Sequence, residues 1–419
     1  VGVGFSINSD PKKAVEEAVD MALRELKEKT VDFTIVFTNS GSDTETMFLK
    51  LKELLGSNTK IYGGSSDSRW LMTNKGLITI AKTGYLEVDE TKNAITLMAI
   101  SSKKINFGVG SADFSRYASA KEAAKEALSK AIKTAGRSLE EKPKVILTLI
   151  TPPYEEEVLE AIEEMIGKET ILLGGTVGGP EFIIFGENQV YTQGVSLAVI
   201  YTDLAIGWTF EGGFKVRLPQ TGIVTKAQGQ EIIEIDNRPA LDVYNNWLGG
   251  KIESLSKQTE NPEKIRDFFV LYPLYRKYTT KEGIEYYLFS HPWPKDFTFK
   301  KKSIMTSTYI KEGQRIYLSQ GNWEALLNRI LKLSNNAKTK ADIKTGKTLF
   351  GIAYLCAGVI GVIPQSEREK IPFLIMQEED FPFICCFSWG EQGFFPGIGF
   401  KHGNLLTSFL IISEEEEEE

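Results

Sequence analysis

Short hydroxyl, amide and carboxylate side chains gather beside glycines or prolines in six stretches: TNSGSD (38–43), GGSSDS (63–68), ITPPYE (150–155), GGTVGGP (174–180), LCAGVIG (355–361) and FSWGEQG (387–393). Gly-Gly lets a backbone come close to whatever lies against it, and a neighbouring Ser or Thr offers both a donor and an acceptor. Such edges suit an uncharged or zwitterionic metabolite. The candidate binding side chains are Asn39, Ser65, Ser66, Thr151, Thr176, Cys356, Ser388 and Glu391. Glu391, which follows a Gly just past an apolar run, could accept hydrogen bonds from an ammonium group. The same residues also have an architectural use, since glycines turn chains and hydroxyls cap the next element.

Catalytic sets are not found. The chain has no GxSxG elbow, Walker A sequence or HExxH, and GVGF and GVGS do not extend to GxGxxG. The two histidines, His291 and His402, are far apart in sequence. A Cys356–His402 nucleophile pair is the enzymatic alternative, although GIAYLCAG reads as core, where Cys behaves as a small hydrophobe. Cys385 and Cys386 sit in an apolar strand context, which raises a thiol pKa. Three Cys and two His exclude a disulfide scaffold and argue against zinc. No catalytic residue, cofactor or metal is expected. Trp208 and Trp389 either wall a pocket or fill core.

The elements that carry these stretches repeat. Residues 31–66 and 142–177 align without a gap, and each runs strand, helix, strand into Gly-Gly and a hydroxyl. Upstream, GVGFSINSDPKKAVEEAVDMAL (2–23) is similar to GVGSADFSRYASAKEAAKEAL (108–128), a Gly-flanked strand leading into a helix. Asp10-Pro11 is a cap followed by Pro at the first helical position, and Ala14, Val15, Ala18, Val19 and Ala22 recur at helical spacing. Further strands follow each Gly-Gly, giving a β-α-β-α-β-β-β unit of about 100 residues. TLFGIAYLCAGVIG, IPFLIMQEEDFPFICCFSWGEQG and NLLTSFLII keep the same order and read as a third, degenerate copy. The expected fold is α/β, with an internally duplicated, mixed-sheet N-terminal domain and a related, degenerate α+β C-terminal domain. The first domain spans 1–212 in repeats of about 1–104 and 105–212, the second 213–413, and an acidic tail 414–419. NNAKTKADIKTGK (335–347) reads as a polar connector. Ligands collect at the C-terminal ends of strands in such sheets, where the six stretches fall.

Net charge is −7, but the six terminal glutamates hold most of it, so the body is close to neutral. That excludes an electrostatic grip on nucleic acid or an acidic membrane. The longest apolar stretch, residues 349–363, is short of the ~20 residues a spanning helix needs, so no membrane insertion is expected. The start VGVGFS lacks a signal-peptide pattern, and a cytoplasmic location is expected.

Three segments carry a family resemblance: GVGFSINSDPKKAVEEAVDMAL…DFTIVFTNS…IYGGSSDS, VTKAQGQEIIEIDNRPALDVYNNWLG, and LFGIAYLCAGVIG…FICCFSWGEQGFFPG…KHGNLLTSFLII. In this order they resemble the N- and C-terminal FIST domains, named for F-box and intracellular signal transduction proteins. The resemblance implies a cytoplasmic sensory or ligand-binding module, often coupled to signalling domains, with small ligands, amino acids or similar metabolites among them. No kinase, cyclase, methyl-accepting or F-box segment is recognised in the sequence, so a stand-alone sensor that passes its signal to a separate signalling protein is expected. By position, Cys356 falls on the family's Cys after the core strand and Gly390-Glu391 on its Gly-Glu. His402, Asn404 and Thr407 fall near its closing His-Asn-Thr cluster. Where the family commonly has Arg after that Cys, this chain has Ala357-Gly358. The alternatives are a thiol- or carboxylate-dependent group-transfer enzyme and an assembly protein without a ligand.

Overall fold

Three copies of one strand and helix arrangement form the body, and each lends a hairpin to another copy. The architecture is that of a computed structural model, which describes residues 1–28, 30–80, 93–296, 298–340, 343, 346–376 and 379–414. The first copy comprises β1 (Gly2–Asn8), α1 (Pro11–Glu25), β2 (Phe33–Asn39), α2 (Thr44–Leu55), β3 (Lys60–Ser66), β4 (Trp70–Thr73), β5 (Gly76–Thr79) and β6 (Asn93–Ile100). The second repeats it as β7 (Ile105–Asp113), α3 (Ala120–Thr134), β8 (Val145–Ile150), α4 (Glu155–Ile166), β9 (Ile171–Thr176), β10 (Ile184–Phe185), β11 (Val190–Tyr191) and β12 (Gly194–Thr202).

The helices form for local reasons. Asp10 caps α1 by accepting from the Lys12 and Lys13 amides, with Pro11 in the first turn, and α1 buries Ala14, Val15, Ala18, Val19 and Ala22 as the spacing predicts. Ser119 caps α3 in the same way through the Glu122 amide. The Gly-x-Gly of β1 and β7 has a steric cause. A Cβ on Gly4 would lie 1.8 Å from the Ala18 carbonyl oxygen, and one on Gly110 would lie 2.0 Å from that of Ala127. Only glycine lets the first helix of each copy rest directly on its first strand.

The third copy begins with β13 (Ala205–Gly212). An inserted domain follows: β14 (Thr221–Gln228), β15 (Glu231–Ile235), β16 (Arg238–Pro239), α5 (Ala240–Trp247), α6 (Lys251–Gln258), α7 (Pro262–Val270), β17 (Leu274–Thr279), β18 (Glu285–Ser290), β19 (Pro292–Pro294), β20 (Ile304–Thr306) and β21 (Arg315–Leu318). These strands form an eight-stranded sheet, with a core of its own that includes Val224, Ile235, Tyr244, Ile265 and Phe269. The copy resumes with α8 (Trp323–Leu331), α9 (Leu333–Lys340), β22 (Lys347–Cys356), α10 (Ala357–Val362), α11 (Gln365–Arg368), α12 (Ile371–Met376), β23 (Phe383–Ser388), β24 (Gly390–Phe395), β25 (Gly399–Gly403) and β26 (Leu406–Glu414).

The three body sheets run β1-β6-β2-β3-β10-β11, β7-β12-β8-β9-β24-β25 and β13-β26-β22-β23-β4-β5. In each, the second and third strands of the copy pair in parallel, and the third accepts a hairpin from elsewhere. The second copy donates to the first, the third to the second and the first to the third. The mixed-sheet α/β class and the relatedness of the C-terminal region are therefore as the sequence predicts. Two details differ. The expected boundary at 212 falls after β13, yet β13 pairs with β26 along its whole length, Ala205 to Gly212. Residues 335–340, expected in a polar connector, lie in α9, where Ala337 is buried against β13; a Cβ on Gly207 would lie 2.5 Å from the Ala337 carbonyl oxygen. The third copy is thus complete, with its first strand separated from its first helices by the inserted domain. Glu415–Glu419 of the expected tail lie outside the described residues. Among the described residues, no helix is long and apolar enough to cross a membrane.

If Gly4 serves helix packing, Gly4→Ala should lower stability by about 1–3 kcal/mol, the usual penalty of an added buried carbon. Urea unfolding measures it, and an unchanged midpoint would show that α1 is free to move outward.

Candidate functional site

The hydroxyl-bearing strand ends meet at a closed ring of three backbone hydrogen bonds. Asp67 N donates to Phe387 O (2.9 Å), Gly178 N to Ser65 O (2.9 Å) and Trp389 N to Thr176 O (3.1 Å). Each bond joins one copy to another, so Ser65, Thr176 and Phe387 are equivalent positions. The Gly-Gly pairs lie within strands and serve this convergence. A Cβ on Gly63 would meet Val36 O at 2.2 Å, and one on Gly64 would meet Ile183 O of the visiting segment at 2.4 Å. On Gly174 it would meet Thr148 Oγ1 at 1.9 Å.

The eight sequence-derived candidates are all buried at these ends, and most have partners within the fold. Asn39 Oδ1 accepts from the Ala94 amide and Ser42 Oγ. Ser65 Oγ donates to Gly178 O at 2.7 Å and accepts from the Ile183 amide at 3.0 Å. Ser66 Oγ accepts from the Phe387 amide, Thr151 Oγ1 from the Gly194 amide, and Thr176 Oγ1 donates to Glu155. These five hydroxyls and amides tie copies and strands together. Cys356 and Ser388 instead line a cavity of about 240 Å³ between the third copy and the inserted domain. Glu391 lies behind that wall, fully buried, accepting from Ser388 Oγ at 2.8 Å and the Leu406 amide at 3.0 Å.

β22 ends at Cys356 and β23 at Ser388, while β25 leads into Asn404, so three strand ends of one copy supply one wall with Trp389. The inserted domain supplies His291, Trp293 and Ser307 from the other side. Asn404 is 2% exposed; its Nδ2 donates to Trp389 O at 2.8 Å, and its Oδ1 is buried without a hydrogen-bond partner among the described residues. His291 is pulled down to about 4 by burial, so the ring is neutral near pH 7. Its Nε2 donates to Arg266 O at 3.3 Å, which leaves Nδ1 as an acceptor. Between the indoles of Trp293 and Trp389, the polar lining is Asn404, His291, the Ser388 and Ser307 hydroxyls, and Arg266 of the inserted domain.

Burial raises Glu391 to about 8, against the hydrogen bonds from Leu406 and Ser388 and the charges of His402 and Arg329. Arg329 is itself lowered to about 10 by burial. The thiols of Cys356, Cys385 and Cys386 are all raised by burial. His402, the alternative partner for Cys356, hydrogen-bonds Glu156 through Nδ1 at 3.2 Å. Burial alone would lower His402, but Glu156 and Glu155 outweigh it and lift the ring to about 9. Sequence reasoning placed Cys356 and Ser388 at the strand ends that line this cavity. It brought in Asn404 only through the resemblance, and it missed Trp293 and Ser307. His291 in FSHPWP was noted only for its distance from His402; the aromatic and proline residues around it were the available signal.

An internally repeated α/β protein with a cavity under its third copy is the class these features define. Residues 32–238 match the FIST N domain and residues 240–394 the FIST C domain. The chain belongs to the FIST family, which is associated with signal transduction and small-ligand sensing. The two matches meet inside the inserted domain, not at a repeat boundary. No curated protein matches the chain significantly. Among solved structures, cyanuric acid hydrolase from A. caulinodans aligns at TM-score 0.28 and 9% identity, over 50% of this chain and 71% of that one. PurLQS from Thermotoga maritima aligns at 0.21 and 8%, over 98% and 72%. T. maritima PurL complexed with ATP aligns at 0.22 and 8%, over 99% and 72%. Likeness this slight carries no argument about fold or function.

Two outcomes follow from the electrostatics. Glu391 holds a proton in the folded protein up to about 8, whereas an unperturbed glutamate loses it near 4.5. Its contribution to stability is therefore full below pH 4.5 and is lost as pH rises to about 8, by up to ~5 kcal/mol at ~1.4 kcal/mol per unit. The difference in unfolding free energy between wild type and Glu391→Gln should fall across that window; a flat difference from pH 5 to 8 would contradict the assignment. The three thiols should also resist alkylation at pH 7.5 in the native protein and react fully in guanidinium, whereas rapid native labelling of Cys356 would revive the thiol mechanism.

Proposed function

We propose that the protein is a sensory module that binds a compact, donor-bearing metabolite, an amino acid or a similar amine or amide, in the cavity between its third copy and its inserted domain. The observation that carries this reading is Asn404 Oδ1, an acceptor buried in the cavity wall without a partner among the described residues, which a ligand N–H or ammonium would satisfy. The volume supports the size class. About 240 Å³ lies below the ~300–1,000 Å³ of pockets for drug-sized ligands and suits a small metabolite. The two walls belong to different structural units, so a ligand touching both favours the arrangement in which they are closed together. A change in that arrangement is the natural signal to a separate partner protein. Catalysis by Cys356 is disfavoured by its 5% exposure and raised pKa.

A thermal-shift screen of amino acids, amines and amides tests the reading. A true ligand at 100-fold its dissociation constant adds about 2.7 kcal/mol, visible as an upward shift of Tm. Trp293→Ala, which alters only the inserted-domain wall, should abolish the shift. No stabilisation by any compound in the panel, or an undiminished shift in the variant, would overturn the assignment.

A further inference from the structure

Outside that cavity, the start of α4 and the strand β25 bring three ionisable side chains together. Glu155 and Glu156 are the first two residues of α4, and His402 lies in β25. Each offers a ligand atom within 4.8 Å of the others. Glu155 is 2% exposed and His402 3%. Glu155 Oε2, Glu156 Oε2 and His402 Nε2 are all buried without a hydrogen-bond partner among the described residues. One unsatisfied atom from each of three clustered residues is unusual in a folded interior, where such atoms nearly always find partners. Neither carboxylate is paired with a Lys or Arg among the described residues.

The remaining atoms hold the group in place. Glu155 Oε1 accepts from Thr176 Oγ1 at 2.8 Å. Glu156 Oε1 accepts from the Tyr309 amide and faces His402 Nδ1, each at 3.2 Å. His402 Nδ1 faces a carboxylate, as in metal-bound histidines; lifted to about 9, the ring also carries a proton on Nε2 near pH 7, which an ion bound at that nitrogen would displace. Nε2 lies 3.9 Å from Glu155 Oε1, too far for a hydrogen bond. Two bonds of ~2.1 Å to one ion span ~3.4 Å at a tetrahedral angle, so an ion would draw Nε2 and the Glu155 carboxylate together by roughly half an ångström. Gly390 provides the room: a Cβ there would lie 2.4 Å from Nε2. Access is open as well, because Glu156 and His402 form part of the wall of a cleft of about 870 Å³ that also touches Tyr309, Arg276 and Lys401.

We propose that Glu155 and His402 hold one divalent transition-metal ion of the zinc type, with Glu156 as the carboxylate that positions the ring. His402 would ligate through Nε2 and Glu155 through its carboxylate, Glu156 Oε1 would keep Nδ1–H, and water from the cleft would complete the coordination. Imidazole with carboxylates suits Zn²⁺ better than Mg²⁺ or Ca²⁺, which prefer all-oxygen sets. The imidazole lies 246 residues beyond Glu156 in sequence, and the group has no spacing motif, which is why counting Cys and His suggested no metal.

Metal-stripped full-length protein titrated with ZnCl₂ and MgCl₂ tests this by calorimetry and by metal content after gel filtration. About one equivalent of zinc should be retained and no magnesium. Glu155→Gln and His402→Gln should each weaken zinc at least ~10-fold, while Cys356→Ser should bind as wild type. No stoichiometric zinc, or zinc binding that ignores Glu155→Gln, overturns the site. Should those variants fail to fold, the wild-type Co²⁺ spectrum decides: visible bands without thiolate charge transfer support the site, and a thiolate band or no spectrum sinks it.

Discussion

Everything in the body depends on the exchange of hairpins among the three copies. The third strand of each copy would otherwise be a sheet edge, with unpaired N–H and C=O groups in a buried setting. Instead β3 receives β10, β9 receives β24, and β23 receives β4. The three bonds Asp67 to Phe387, Gly178 to Ser65 and Trp389 to Thr176 close the cycle where the strands converge. No copy completes its own sheet, so the three are one cooperative unit, while the inserted domain packs around a core of its own.

That convergence decides where a small molecule has room. In the first two copies the strand ends are consumed by the exchange. Ser65, Ser66, Thr151 and Thr176 are spent on backbone groups and neighbouring side chains, and the glycines leave space that other strands occupy. In the third copy the inserted domain arches over the equivalent ends, and Cys356, Ser388 and Asn404 face a cavity instead of a strand. Three related rims therefore have unequal fates, because only one of them has a second structural unit standing over it.

Burial also sets the chemistry. A thiol with 5% exposure stays protonated, and a carboxyl with none is raised to about 8. Glu391 thus orients the Ser388 hydroxyl and the Leu406 amide from behind the wall. The sequence pattern suggested a carboxylate presented to a ligand; its neighbours in β24 and β26 turned it inward. In contrast, Glu155, Glu156 and His402 look unremarkable in the chain, and become a concentrated group of unsatisfied atoms only after the third copy's β24 and β25 join the second copy's sheet.

Local physics made much of the fold legible from the residues alone. The Asp-Pro cap, the Ala and Val spacing of α1, the β-branched strands and the Gly-Gly ends all express short-range preferences, and the recurrence of residues 31–66 at 142–177 revealed the repeat. The family was legible for the same reason, in linker and closing motifs that keep their residue types. What the chain could not announce were its non-local pairings. That β13 belongs to the third copy, that the Gly-Gly pairs admit strands and not a ligand, and that His291 and Asn404 share a cavity are all set by contacts between segments tens to hundreds of residues apart. Periodicity records which face of an element is buried, but which partner buries it is decided only when the sheets assemble.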